Sequence, residues 1–193
     1  MCSFRAVANP CLLSLNVCLV FILQGESLVM TNDGPFMCLT NMGEGDCLFQ
    51  ALSQQLGMPP LALRRAAVAY MREHLEVFGA QLIELGRSME LAGEIPFLPD
   101  EEIPATVLNV LNLPWTWGGA ECIAALASHL QRRIIVYQEN GPSIPFTPNT
   151  LVSEVPLRLM HRFGRRGASQ RTHYECVVSD AISQVSYLKP FFL

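Results

Sequence analysis

Gly43-Glu44-Gly45-Asp46-Cys47-Leu48-Phe49-Gln50-Ala51-Leu52 is the stretch whose reading decides this chain. Two glycines two positions apart imply a tight bend with exposed backbone N–H groups. After it, Leu48, Leu52 and Leu56 recur at every fourth residue until Gly57, the spacing and the stop of a short helix. Cys47 would therefore stand at a helix N-terminus, where the helix dipole favours a thiolate. The bend before it would aim the backbone N–H groups of Glu44, Gly45, Asp46 and Cys47 at one point. That is what an oxyanion hole for a tetrahedral intermediate requires.

Outward from this stretch, Pro59-Pro60 opens a second helix over about 61–84, with Leu63, Ala67, Tyr70, Met71, Leu75, Phe78 and Leu82 as its apolar stripe. Residues 86–114 read as a proline-rich connector with a short helix near 104–111. A third helix fits 119–131, with Ile123, Leu126, Ala127 and Leu130 on one face. The period then changes. Residues 133–137, 157–163 and 174–178 read as strands, 139–150 as a loop, and 164–172 as a hairpin connection. Residues 28–42 read as loop-like, with a turn at Asn32-Asp33-Gly34-Pro35. Helices first and strands later predict an α+β fold, a small β-sheet packed against helices.

Composition narrows the function classes. The chain has 193 residues, enough for one core, and 50% hydrophobic with 16% charged residues argues against disorder. A net charge of −4 gives no electrostatic footprint for nucleic acid. The seven cysteines are odd in number and contain no CxxC pair, so neither a disulfide framework nor a thiolate metal site is expected. Free thiols suit a reducing compartment, which makes a cytoplasmic monomer the expectation. The apolar run 11–23 qualifies that: it has the outline of a signal peptide and is too short for a membrane span. A secreted chain cleaved near residue 27 is the alternative, and a buried element or a leader ahead of a later start are the other readings.

A thiol nucleophile needs a base from elsewhere in the chain. His74 and His129 fall on helices, and His161 takes the inward register of its strand, as a core histidine would. His173 opens a strand directly after a loop, a usual setting for a catalytic side chain. Spacing alone leaves the Cys47–His173 pairing open.

The stretch 43–52 resembles the nucleophile motif of the ovarian-tumour (OTU) deubiquitinases, roughly Asp-Gly-x-Cys-Leu-Phe-x-Ala. The likeness continues in order. Leu63-Arg64 with Val68 and Tyr70, Trp117-Gly118-Gly119 with Ile123, Ala125-Leu126-Ala127 and Leu130, Ile134 with Val136, and His173-Tyr174 with Val177 each resemble a further family motif. It covers about residues 38–180, leaving 1–37 as an N-terminal extension and 181–193 as a tail. The resemblance implies a papain-like fold and a hydrolase, free of metal and organic cofactor, that cleaves peptide or isopeptide bonds at the C-terminal glycine of ubiquitin or a ubiquitin-like modifier. Ubiquitin or polyubiquitin would be its partner. Cys47 would be the nucleophile and His173 the base, and Trp117 and Gly118 would wall the scissile bond.

The sequence departs from that family at the third member. Where the family places Asp or Asn two residues after the histidine, or Asp three before the cysteine, this chain has Glu175 and Glu44, each one methylene longer. Glu175 shares a strand face with His173 and so is placed to reach Nδ1, with Glu44 the alternative. Asp46 reads as a helix N-cap. Cys176 reads as buried. The loop arginines 162–171 and the acidic residues Glu94, Asp100, Glu101 and Glu102 read as solvated. The departures also motivate a second expectation, a ubiquitin-binding module that keeps the fold with little or no activity. A secreted hydrolase of another acyl substrate is a third.

Overall fold

The computed structural model describes residues 26–41, 45–139, 141–162 and 173–178. The apolar run 11–23, Glu44 and the arginines at 165, 166 and 171 lie outside the described residues. Five helices are described: α1 (Cys47–Leu56), α2 (Pro60–Glu73), α3 (Leu75–Leu91), α4 (Ile103–Leu111) and α5 (Ala120–His129). The strands are β1 (Glu26–Thr31), β2 (Gly34–Leu39), β3 (Arg132–Gln138), β4 (Gly141–Phe146), β5 (Ser153–Arg162) and β6 (His173–Val178). They form one sheet in the order β1-β2-β6-β5-β3-β4, in which β3 and β5 are parallel and every other pair is antiparallel.

The α+β architecture expected from the sequence is the one observed, because strand alternation splits the sheet into two apolar faces. Ile134, Val136, Leu157, Leu159, Tyr174 and Cys176 face the helices and join one core with Leu48, Leu52, Leu63, Leu82, Leu108 and Leu126. The intervening positions Tyr137, Met160 and Val177 form a smaller cluster on the opposite face with Phe36 and Cys38. Each large apolar side chain fully buried this way contributes about 1.5–3 kcal/mol.

Several element boundaries differ from the sequence reading. The helix expected over 61–84 breaks at His74 (φ −126°, ψ 48°), whose N–H bonds the carbonyls of Tyr70 and Met71 to close α2. Apolar spacing on both sides stays in phase with the core, so periodicity passes over a one-residue break. Helix α3 then runs on to Leu91, into the stretch read as connector. Residues 28–39, read as part of a loop, form a hairpin instead: the turn at Asn32-Asp33 closes β1 and β2, with Thr31 Oγ1 donating to the Gly34 carbonyl at 3.0 Å. The 139–150 loop contains β4, which Pro142 and Pro145 disguise. At the sheet edge, unlike a central strand, β4 tolerates missing N–H donors. The expected strands 157–163 and 174–178 do pair as antiparallel neighbours.

The connector after α3 is pinned by a carboxylate. Buried Glu90 accepts from the Leu98 N–H at 2.7 Å and from Arg87 Nη1 at 2.7 Å, and Arg87 also pairs with Asp100. This folds residues 92–100 back and sets α4 against α3. At that crossing a Cβ on Gly86 would collide with Ile103 Cγ2 and lie 3.0 Å from Val107 Cγ2. Gly86→Val is expected to cost about 1–3 kcal/mol by overpacking two stiff β-branched neighbours. Gly79→Val, on the same helix with open space around it, is expected to be near neutral. Urea unfolding of the two variants checks the contrast.

Candidate active site

The bend before α1 is held from three directions. Gly45 is buried with φ 74°, and a Cβ there would run into the Trp115 backbone carbonyl. Glycine alone meets both the left-handed backbone and the close approach. Asp46 follows at the N-cap position, but the side-chain cap expected of it is not made. Its carboxylate is drawn away: Oδ1 takes both Nε (3.1 Å) and Nη2 of Arg64, and Oδ2 accepts from the Trp115 N–H at 3.2 Å.

Arg64 is the residue on which these contacts converge. It is fully buried on α2, yet each of its three guanidinium nitrogens finds an acceptor. Nη1 donates to the Leu111 carbonyl at 2.6 Å. Nη2 reaches the carbonyls of Thr116 at 2.6 Å and Gly45 at 3.2 Å as well as Asp46. The guanidinium also lies 4.3 Å from the Phe49 ring centroid. One side chain thus ties α2, the end of α4, the 115–116 turn and the bend before Cys47 into one block. The sequence reading noticed Arg64 only as part of a motif. The usable signal was a charged residue inside the stripe of buried positions Leu63, Arg64, Ala67, Val68 and Met71. Such a residue stays buried only when paired and hydrogen-bonded.

Cys47 opens α1 and is 1% exposed. Burial pushes its thiol up, opposed by the backbone N–H groups of Tyr174, Leu48 and Cys47 itself that bond the sulfur. The Asp46 carboxylate adds to the upward push. The expected lowering by helix position is therefore outweighed by desolvation within this chain. The other described cysteines are more ordinary core thiols: burial pushes Cys38 up to about 11, and Cys122 and Cys176 up to about 12. The expectation that Cys176 is buried holds.

The last strand is brought onto the start of α1 at its first residues. Asn41 Nδ2 donates to the Tyr174 carbonyl at 2.9 Å and to the Cys47 carbonyl at 3.3 Å, clasping β6 to the start of α1. Sequence reading missed Asn41 entirely. His173, half-buried, is the neighbour of Tyr174 and opens β6, opposite Arg162 of β5. His161, as expected, takes the helical face, packed on the Tyr174 ring at 4.9 Å, and burial lowers its pKa. His74 sits half-exposed between α2 and α3, with Nδ1 3.2 Å from Glu76, and His129 ends α5 against Tyr70.

Glu175 shares the strand face of His173, but its hydrogen bond goes elsewhere than expected. Oε2 accepts from Arg162 Nε at 2.6 Å. Arg162 ends β5, within the stretch read as a strand, but at 22% exposed it is not the solvated side chain expected. Glu44, the alternative third member and first oxyanion donor, lies outside the described residues. Trp117 packs partly buried against the core, and Gly118 is buried against the first turn of α1. A Cβ at Gly118 would lie 3.0 Å from both Leu48 Cδ2 and Phe49. Of the acidic connector residues, Asp100 pairs with Arg87, while Glu94, Glu101 and Glu102 are exposed. Among the described residues no group of three His, Cys, Asp or Glu side chains is arranged to hold a metal, and no helix is long and apolar enough to cross a membrane.

Comparison with known proteins covers the same ground. The family profile of the OTU-like cysteine proteases matches residues 42–174. Ubiquitin thioesterase otu2 of Schizosaccharomyces pombe is 32% identical over 130 residues, 63% of this chain and 40% of that protein, so the chain spans less than half of that relative. In fold, the chain is similar to the viral OTU domain protease of Farallon virus, with a TM-score of 0.51 at 16% identity over 79% of this chain and 88% of that one. An OTU domain solved in complex with ubiquitin gives a TM-score of 0.51 at 14% identity, over 78% of this chain and 74% of that one.

The Arg64 block has measurable consequences. Arg64→Met would leave the Asp46 carboxylate without its cation and three buried carbonyls without donors, an expected loss of about 3–5 kcal/mol. Gly45→Ala adds backbone strain to a collision and is expected to cost about 2 kcal/mol or more. Denaturant titration of each variant checks these values, and a loss under about 1 kcal/mol for Arg64→Met would show that the block is not what holds the bend.

Proposed function

The chain belongs to the OTU-like cysteine protease family, and on that premise we propose that it is a thiol-dependent hydrolase of bonds to the C-terminal glycine of ubiquitin. Cys47 is its nucleophile and His173 its base. The observation that carries this reading is the clasp of β6 onto α1, in which Asn41 Nδ2 donates to the backbone carbonyls of both Tyr174 and Cys47. It brings the residue next to His173 against the start of α1, where Cys47 stands.

The steps follow from thiol chemistry. The thiol proton passes to His173, and Sγ attacks the glycine carbonyl carbon. The resulting oxyanion is met by backbone N–H groups of the bend before α1, of which Gly45 and Asp46 are held in advance by Arg64. The C–N bond then breaks as His173 returns the proton to the leaving amine, leaving a thioester on Cys47. Water, giving a proton to His173, hydrolyses that thioester and releases the carboxylate product. Trp117 and Gly118 wall the approach to the bond. No step calls for a metal or an organic cofactor.

A second reading, a ubiquitin-binding module with little turnover, is favoured by one observation. The thiol is shut from solvent and held up by burial. Ubiquitin carrying a thiol-reactive C-terminal group separates the two. The enzyme reading expects covalent labelling that is abolished in Cys47→Ala, reduced by several orders of magnitude in His173→Ala, and retained in His161→Ala. Binding without labelling would favour the module. Labelling lost in His161→Ala and kept in His173→Ala would overturn the base assignment.

A further inference from the structure

Arg162 is placed on the same sheet face as His173 and Glu175, by a register that leaves little freedom. Arg162 stands directly opposite His173, and Met160 opposite Glu175, so Arg162 and Glu175 are diagonal neighbours across the β5–β6 pair. The guanidinium is held from three further elements. Nε donates to Glu175 Oε2 at 2.6 Å, Nη2 donates to Ser27 Oγ of β1 at 2.9 Å, and Nη1 lies 3.8 Å from Glu139 Oε1, just past β3. The Glu175 side chain is 7% exposed. Among the described residues its hydrogen bond runs through Oε2 alone, which leaves Oε1 of the same carboxylate as a second acceptor.

A glutamate two residues after the histidine has one more rotatable bond than an aspartate, so unaided it would hold the imidazole less firmly. A planar guanidinium held by Glu175, Ser27 of β1 and Glu139 beyond β3 removes that freedom. We propose that Arg162 is a positioning residue of the active site: it fixes Glu175 by one carboxylate oxygen so that the other orients His173. The proposal rests on the reading of Cys47 and His173 as nucleophile and base. Arg162 touches neither reacting atom, and it acts through Glu175.

The sign of a pH effect separates this role from its rivals. The charged and titratable groups around Arg162 are Glu175 and His173 of β6, Glu139 beyond β3, and the Cys38 thiol of β2. Cys38 is pushed up to about 11 by burial and stays neutral in the working range. The alkaline limb of kcat/KM reports loss of the imidazolium proton. A carboxylate held against the imidazolium keeps that limb high. If Arg162 serves to hold Glu175, removing it loosens the carboxylate and the limb moves to lower pH. If Arg162 is merely a nearby cation, removing it relieves repulsion and the limb moves to higher pH. A purely structural role lowers activity and leaves the limb where it was.

The test is the pH profile of hydrolysis of ubiquitin bearing a C-terminal fluorogenic amide, for wild type, Arg162→Met, Arg162→Lys, Glu175→Gln and the Arg162→Met/Glu175→Gln double variant. The expected result is a loss of kcat/KM on the order of 10²-fold in Arg162→Met. The alkaline limb should shift down in the same direction as in Glu175→Gln. Arg162→Lys, which keeps the charge without the fork, should lie between and guards against misfolding of the Met variant. The double variant should be no worse than Glu175→Gln alone, since both act through one carboxylate. An unmoved or raised limb in Arg162→Met and Arg162→Lys, or additive losses in the double variant, would overturn the positioning role while leaving the Cys47–His173 reading intact. Wild-type protein without turnover would overturn that reading and this proposal together.

Discussion

The whole site depends on one buried guanidinium. Arg64 has no contact with solvent, and its cost of burial is offset only because Asp46 and three backbone carbonyls from separate segments surround it. Those segments are the ones on which the proposed mechanism draws. The Gly45 carbonyl belongs to the bend before the nucleophile, and the Thr116 carbonyl to the turn that leads into Trp117 and Gly118. The Leu111 carbonyl closes α4, which Gly86 and the Glu90 carboxylate in turn seat against α3. A chain of packed contacts therefore runs from the helical layer to the residues before Cys47, and the bend is preorganised by elements distant in sequence.

On the other side of the nucleophile the constraint is the sheet. Strand β2 ends at Leu39, beside Cys176, so the first residues of β6 extend past it. Asn41 and the start of α1 occupy that place, and Asn41 Nδ2 bridges the Tyr174 and Cys47 carbonyls there. The sulfur is left in a dry setting where desolvation exceeds what the helix terminus and nearby N–H groups return, and the Asp46 carboxylate works against ionisation. A thiolate in such a place requires a positive partner, which gives the histidine its chemical role in the proposed mechanism.

Much of this was legible in the sequence because it was written in short-range patterns. The glycine bend, the every-fourth leucines of α1, the alternation in β5 and β6, and the motif order about Cys47 and His173 all lie within short windows. What escaped was set by partners far along the chain. Asp46 has the residue type and position of an N-cap, and only the arrival of Arg64 and Trp115 diverts its carboxylate. Glu175 was assigned by its own strand alone, and its hydrogen-bond donor comes from the neighbouring one. The edge strand β4 carries prolines that read locally as loop, a conflict settled only by its place in the sheet. The break at His74 leaves the apolar spacing in phase, so no periodic count reveals it.

The proposed mechanism requires an imidazolium from His173 to keep the Cys47 sulfur ionised in a site whose burial pushes the thiol up. Thiolate absorbance, taken as the difference between wild type and Cys47→Ala across a pH titration, reads this without any substrate. The account predicts a Cys47 thiolate signal already present near neutral pH that disappears in His173→Ala and returns only above the ordinary thiol pKa of about 8.5. A wild-type signal that emerges only in that alkaline range, unchanged by His173→Ala, would contradict it.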